Sequence, residues 1–266
     1  MPLRIAFDLD GVLADMESEL LRRAEILFGE AMTRKLQQRA ETHADPPADS
    51  PDPAMPATPS NAVSTDTPTD RQATPEHSPA DVPQLLKLEM TLRQERRLWR
   101  HVQSIESFWE SLNEIEPGAV ARVASAARDR RWEVIFLTKR PDSAGATAQV
   151  QSQRWLEAKG FTLPSVYVVQ GSRGRIAAAL GLDIVVDDRP ENCLDVVADS
   201  KARAILVWRD EEKLVPVAAR RLGIGVVKSV GDCLDILTQV DAPPQEKPGV
   251  VDRVMRLLGL KEPASV

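Results

Sequence analysis

With 266 residues, 42% of them hydrophobic, the chain can bury one substantial core and a smaller second one. Its net charge of -6, with Lys and Arg scattered among the acids, leaves no basic face to neutralise a run of phosphates, which argues against polymeric nucleic acid as a partner. No basic leader and no run of about 18 apolar residues is present, so a membrane is not expected to be a partner and the cytoplasm is the expected compartment.

The first element is an apolar run, PLRIAFD, that reads as a buried strand. It stops in FDLDGVLAD, residues 7–15, where Asp8, Asp10 and Asp15 surround a turn at Gly11. Two amphipathic helices are expected next. One covers about 16–40, with Met16, Leu20, Leu21, Ala24, Leu27 and Phe28 at helical spacing. The other covers about 85–112, where Leu85, Leu88, Leu92, Trp99, Val102, Ile105 and Trp109 share a broad apolar face. Between them, residues 43–84 hold half of the 20 prolines among Ala, Ser, Thr and Asp. X-Pro steps block helix propagation, and the segment lacks the apolar surface to offset the entropy of ordering it. A disordered insert is expected, and recruitment of a protein partner through it is the alternative.

From Pro117 the rhythm changes. Short β-branched runs, EVIFLT (133–138), SVYVVQ (165–170), DIVVDD (183–188), ARAILVW (202–208) and GIGVVKS (223–229), alternate with helical stretches. Such alternation argues for a parallel sheet with helices on both faces, and continuous hydrophobicity marks strands buried on both sides. The expected organisation is an α/β core from residues 1–15 and 116–240 and a helical cap, 16–115, that carries the insert. Residues 241–266 are read as a linker and a short helix that docks on the body, with contact to a partner as the alternative. Cys193 and Cys233 are too few and too far apart for a disulfide framework or a zinc site, so both read as small buried hydrophobes.

In an open parallel sheet the ligand site lies beyond the carboxyl ends of the strands. Asp8 and Asp10 lie there, as do Thr138 with Lys139 and Arg140, and Asp187 and Asp188 with Arg189 and Pro190. Any one Asp or Thr could instead cap a helix or shape a turn. Four carboxylates at one edge repel one another unless a cation compensates them. A hard, oxygen-loving ion, most simply Mg2+, meets that need, and Mg2+ typically binds one or two carboxylates plus substrate phosphate oxygens. The pattern therefore points to phosphoryl transfer.

The ordered set FDLDGVLAD, IFLT and IVVDD, with a helical insertion after the first motif, resembles the haloacid dehalogenase (HAD) superfamily of phosphatases. Within it, FWESLNEIEPGAV (108–120) and DDRPEN look most like the 5'(3')-deoxyribonucleotidase branch. The resemblance implies an α/β, Rossmann-like sheet with a small cap after the first strand. It implies Asp8 as a nucleophile that forms an aspartyl-phosphate and Asp10 as its general acid and base. The Asp8 side chain, the Asp10 carbonyl and Asp188 would hold Mg2+, with Asp187 behind them. Thr138 would bond the phosphoryl group, with Lys139 and Arg140 helping to hold the substrate.

Arg173, in QGSRGR, stands where the family has a lysine, and Arg175 is a second candidate. Gly171 and Gly174 would let that turn approach the phosphate. Asp15 is expected to cap the first cap helix. Phe28, Trp99, Phe108 and Trp109 are expected to pack between helices, with stacking on a nucleotide base as the alternative. The implied activity is Mg2+-dependent phosphomonoester hydrolysis of a small phosphorylated substrate, with nucleoside monophosphates as the narrower expectation. The alternatives are another phosphoester, such as a sugar phosphate, and a non-catalytic protein that recruits through its Pro-rich loop.

Overall fold

The computed structural model describes residues 2–44 and 89–240. Of the expected disordered insert, 43–84, the first two residues end a helix (Glu30–Ala44), and the rest, like the expected C-terminal helix, lies outside the described residues. Among the described residues there are six strands: β1 (Arg4–Asp8), β2 (Glu133–Thr138), β3 (Ser165–Val168), β4 (Ile184–Asp187), β5 (Arg203–Val207) and β6 (Gly225–Val227). They form one parallel sheet in the order β3-β2-β1-β4-β5-β6. The chain winds outward from β1 through β2 to β3, then returns to the other side of β1 to lay down β4. Winding therefore reverses between β1 and β4, where Asp8 and Asp187 end their strands, and such a switch point opens a crevice for ligands.

Alternate residues of the four inner strands, β1, β2, β4 and β5, enter two separate cores. Ile5, Phe7, Phe136 and Val186 point to one face, where they meet Trp155 and Leu156 of α5 (Ala148–Ala158) and Leu237 of α9 (Val230–Val240). Ala6, Leu137, Val185 and Leu206 point to the other, against Ala177 of α6 (Arg173–Leu180) and Val196 of α7 (Pro190–Asp199). Both faces are covered, which is why the strands read as unbroken apolar runs. The remaining core helices are α4 (Ala119–Arg130) and the short α8 (Val217–Arg221). Cys193 and Cys233 are buried free thiols, as their helical context suggested.

The helices inserted after β1 differ from expectation in their breaks. The first expected helix is two, α1 (Met16–Phe28) and α2 (Glu30–Ala44), because Gly29 takes φ 82° and ends the first. The second, α3 (Leu92–Gln103), stops well short of residue 112. Ser104 caps it, Ser107 turns left-handed at φ 54°, and a single 3-10 turn, Phe108–Glu110, follows. Leu92, assigned to the apolar face, is exposed, whereas Leu98, Trp99 and Val102 are buried against Leu20 and Ala24 of α1 in the same core. Among the described residues no helix is long and apolar enough to cross a membrane.

Candidate active site

The site starts where β1 ends. The amides of Leu13 and Ala14 both donate to the carbonyl of Leu9, at 2.9 and 2.7 Å, and wind the chain into one wide turn. Gly11 sits in that turn at φ 89°, and a Cβ placed there would lie 1.9 Å from Asp188 Oδ2. Only glycine allows this backbone to approach the carboxylate so closely. From beyond β5, Arg209 clamps the turn, donating to the carbonyls of Gly11 at 2.6 Å and Val12 at 3.1 Å. The chain then enters the cap and returns beside its own exit. The Asp15 amide donates to the carbonyl of Asn113, and the Ile115 amide to that of Leu13, each at 2.9 Å. Asp15 caps α1, its side chain accepting from the Ser18 amide at 3.1 Å.

Asp8, Asp187 and Asp188 are gathered by the adjacent ends of β1 and β4, and each is held above the ordinary carboxylate range. Burial is the main cause for Asp8, offset in part by Arg173 and reinforced by the charges of Asp187, Asp188 and Asp10. Burial also raises Asp187, against the pull of Arg173 and of its own hydrogen bonds. Asp188 is pushed up to about 7 by burial and then by Asp187. Asp187 is the best anchored of the three. It accepts from Asn192 Nδ2 at 3.0 Å on both oxygens and from the Arg189 amide at 2.9 Å.

Arg173 is the cation set among these acids. Its side chain is 2% exposed, its Nη2 pairs with Asp8 Oδ1, and its Nε lies 3.6 Å from Asp187 Oδ2. Within the described structure Nε and Nη1 have no hydrogen-bond partner, although both are buried. Of the two candidate arginines only Arg173 faces the acids, since Arg175 is exposed. Of the two glycines of this turn, Gly174 needs a corrected reading. Nothing lies within 4 Å of a Cβ built on Gly171, and a Cβ on Gly174 would lie 2.0 Å from the carbonyl oxygen of Asp195 in α7. Gly174 therefore serves the close packing of two helices.

Across the site, Asp10 is tied to β2 and the loop after it. Thr138, fully buried, donates its hydroxyl to Asp10 Oδ2 at 2.9 Å. Arg140 Nε reaches both oxygens, at 3.0 and 2.9 Å, and its Nη2 reaches Oδ1 at 2.8 Å. Arg140 is 1% exposed. Its Nη1 donates to Ser152 Oγ at 2.9 Å, and its guanidinium carbon lies 5.0 and 5.8 Å from the ring centroids of Trp109 and Trp155. This corrects its reading as a substrate contact: Arg140 is spent on Asp10 and Ser152. Lys139, beside it, stays partly exposed at the end of β2.

The sequence alone did not single out this clamp, because it is assembled from positions 10, 109, 140, 152 and 155 on different elements. The cap aromatics also settle into packing. Phe108 and Trp109 are fully buried and meet edge to face at 4.8 Å, and Phe28 carries Arg97 over its ring.

A metal cage of three or more His, Cys, Asp or Glu side chains does not occur among the described residues. The site instead offers Asp8 and Asp188 as hard oxygen donors. That set fits Mg2+, which needs only one or two carboxylates, and the raised carboxylates are groups that a dication would relieve.

No protein-family model and no curated protein matches the chain. Among solved structures it is similar to a protein assigned as a β-phosphoglucomutase from Thermotoga maritima, at 18% identity and a TM-score of 0.51, covering 90% of this chain and 99% of that one. A hydrolase from Pseudomonas syringae is similar at 15% identity and a TM-score of 0.48, covering 90% of this chain and 99% of that one. A HAD family hydrolase from Deinococcus radiodurans R1, solved with bound phosphate and sodium, is similar at 16% identity and a TM-score of 0.46, covering 90% of this chain and 96% of that one. At such identities the likeness concerns architecture, and together with the six-stranded parallel sheet it gives the chain the α/β, Rossmann-like HAD fold.

Proposed function

We propose that the chain is a Mg2+-dependent phosphomonoester hydrolase that works through an aspartyl-phosphate. The observation that carries this reading is Arg173, a buried guanidinium beside Asp8 with two donors unfilled within the described structure. A buried cation with unused N–H groups is completed by an anion, and a phosphoryl group beside a carboxylate nucleophile supplies one.

The chemistry follows from the placement of Asp8 and Asp10. An oxygen of Asp8 attacks phosphorus, the bond from phosphorus to the leaving oxygen breaks, and that oxygen takes a proton from Asp10. A water then attacks the aspartyl-phosphate and gives its proton to Asp10. The bond from phosphorus to Asp8 breaks, and phosphate leaves with both carboxyl groups restored. Arg173 stabilises charge on the phosphoryl oxygens, and Thr138 orients Asp10. Asp8, the Asp10 carbonyl and Asp188 would hold Mg2+, with Asp187 in support, and the ion when bound neutralises phosphate charge.

For the substrate, the DDRPEN and FWESLNEIEPGAV stretches favour a nucleoside monophosphate. The cap aromatics give that reading no help, since Trp99, Phe108 and Trp109 are buried. The test is turnover of p-nitrophenyl phosphate and of a panel of deoxynucleotides and sugar phosphates, with Mg2+ and with EDTA. Mg2+-dependent release of phosphate, falling by about a thousandfold or more in Asp8→Asn, is expected. Negligible and equal rates for both proteins under every condition would overturn the proposal.

A further inference from the structure

Arg140 is an expensive residue to bury. Its charge has left water, its flat faces lie near two indoles, and Nε, Nη1 and Nη2 all reach oxygens of Asp10 or Ser152. Trp109 belongs to the 3-10 turn by which the chain leaves the cap. Its indole N–H donates to the carbonyl of Pro141 at 3.0 Å, and its backbone amide donates to Gln151 Oε1 at 3.1 Å. Trp155 of α5 donates in turn to the carbonyl of Leu112 at 2.7 Å. The cap's return segment and the core thus grip one guanidinium between them.

We propose that Arg140 is the positioning residue of the acid–base group Asp10, and that the cap holds it in place through Trp109. The inference rests on the phosphatase reading above. A carboxylate has about four acceptor sites. The Nε and Nη2 groups of Arg140 and the Thr138 hydroxyl take three, which fixes the orientation of Asp10 and leaves one site for the travelling proton. A general acid that is free to rotate delivers its proton poorly, so orientation is the quantity Arg140 controls. Because Trp109 lies in the segment that returns from the inserted helices to the core, a shift of that segment reaches Asp10 through Arg140.

The leaving group provides the test. p-Nitrophenolate departs without a proton, whereas the alkoxide of an alkyl phosphate such as glycerol 2-phosphate needs one. In Arg140→Lys, kcat/KM for the alkyl ester should fall about 10- to 100-fold further than for p-nitrophenyl phosphate. Trp109→Leu should show the same preferential loss, and Ser152→Ala a smaller one in a folded protein. In an Asp10→Asn background, Arg140→Lys should add no further leaving-group preference. If Arg140→Lys does not fold, Trp109→Leu and Ser152→Ala decide by the same ratio. Equal losses on both esters in an active protein would make Arg140 a mere prop and overturn the inference alone. Wild-type protein that cleaves neither ester with Mg2+ present would overturn the phosphatase reading and the inference with it.

Discussion

Gly11 and Asp188 are packed so closely that the smallest side chain at position 11 would overlap a carboxylate oxygen, at 1.9 Å. The glycine also takes φ 89°, which a side chain disfavours by about 1–3 kcal/mol. Gly11→Ala should therefore lower stability by about that amount and move Asp188 from its place. Phosphatase turnover should fall, and the rise in melting temperature on adding Mg2+ should shrink with it. A variant whose melting temperature drops while its response to Mg2+ stays whole would separate the turn from the metal.

Removing Arg173 leaves Asp8 and Asp187 facing each other without their shared cation. For Arg173→Met, stability should fall by about 3 kcal/mol at pH 8 and by less at pH 5, where the carboxylates take up protons. Activity should fall about 100-fold or more. Arg173→Lys should lie between, since an ammonium keeps the charge and gives up the span from Asp8 to Asp187. Urea melts at the two pH values, with initial rates, check both parts. A lysine variant as disabled as the methionine one would show that geometry matters more than charge.

The raised carboxylates also set a direction for pH. Asp188 has an ordinary value of 3.8 and stands at about 7 in the folded protein. Between those values the unfolded chain gives up its proton first, so stability is full below about pH 4 and drains away up to about pH 7. Burial moves Asp8 and Asp187 in the same direction and adds to the loss. A dication that pairs with these groups restores most where they are most ionised. Mg2+ should thus raise the melting temperature more at pH 8 than at pH 5, each kcal/mol being worth about 2–4 °C in a chain of this size. A larger effect at pH 5 would contradict the assignment of these acids to the ion.

Gly174 offers a contrast, since its role is packing. A Cβ there would lie 2.0 Å from the backbone of Asp195, so Gly174→Ala must push α6 from α7. A loss of about 1–3 kcal/mol in a urea melt is expected. An alanine variant as stable as wild type would mean that the two helices separate at no cost.

The strands were legible in the sequence as apolar runs: β1, β2, β4 and β5 are buried on both faces, and the edge strands β3 and β6 kept a β-branched run although one side of each is exposed. Their ends were less so. DIVVDD was taken as a strand through Asp188, yet β4 ends at Asp187, since the next carboxylate turns toward Gly11. In the cap, the periodicity of residues 16–40 hid the break at Gly29, although a glycine within a helical pattern was a signal that could have found it. The sequence brought Asp8, Asp10, Thr138, Asp187 and Asp188 to one edge, because strand ends and topology do that work, and the family resemblance added Arg173. It said nothing of the Arg140 clamp. Nothing local distinguishes an arginine after a strand that reaches for substrate from one that turns back to a buried acid, and only the packing of two distant tryptophans decides it.

The central position of β1 has a consequence in time. Arg4 pairs its side chain with Glu133, 129 positions on, and its amide with Asp183, 179 positions on. At about 5–20 residues per second, a ribosome that has made β1 needs roughly ten to forty seconds to deliver the strand that will flank it on the far side. The strand that carries Asp8 is made first and gains its second neighbour only when β4 emerges. Until then its apolar run is exposed, so the wait is the period in which this chain is most open to aggregation and to the help of a chaperone.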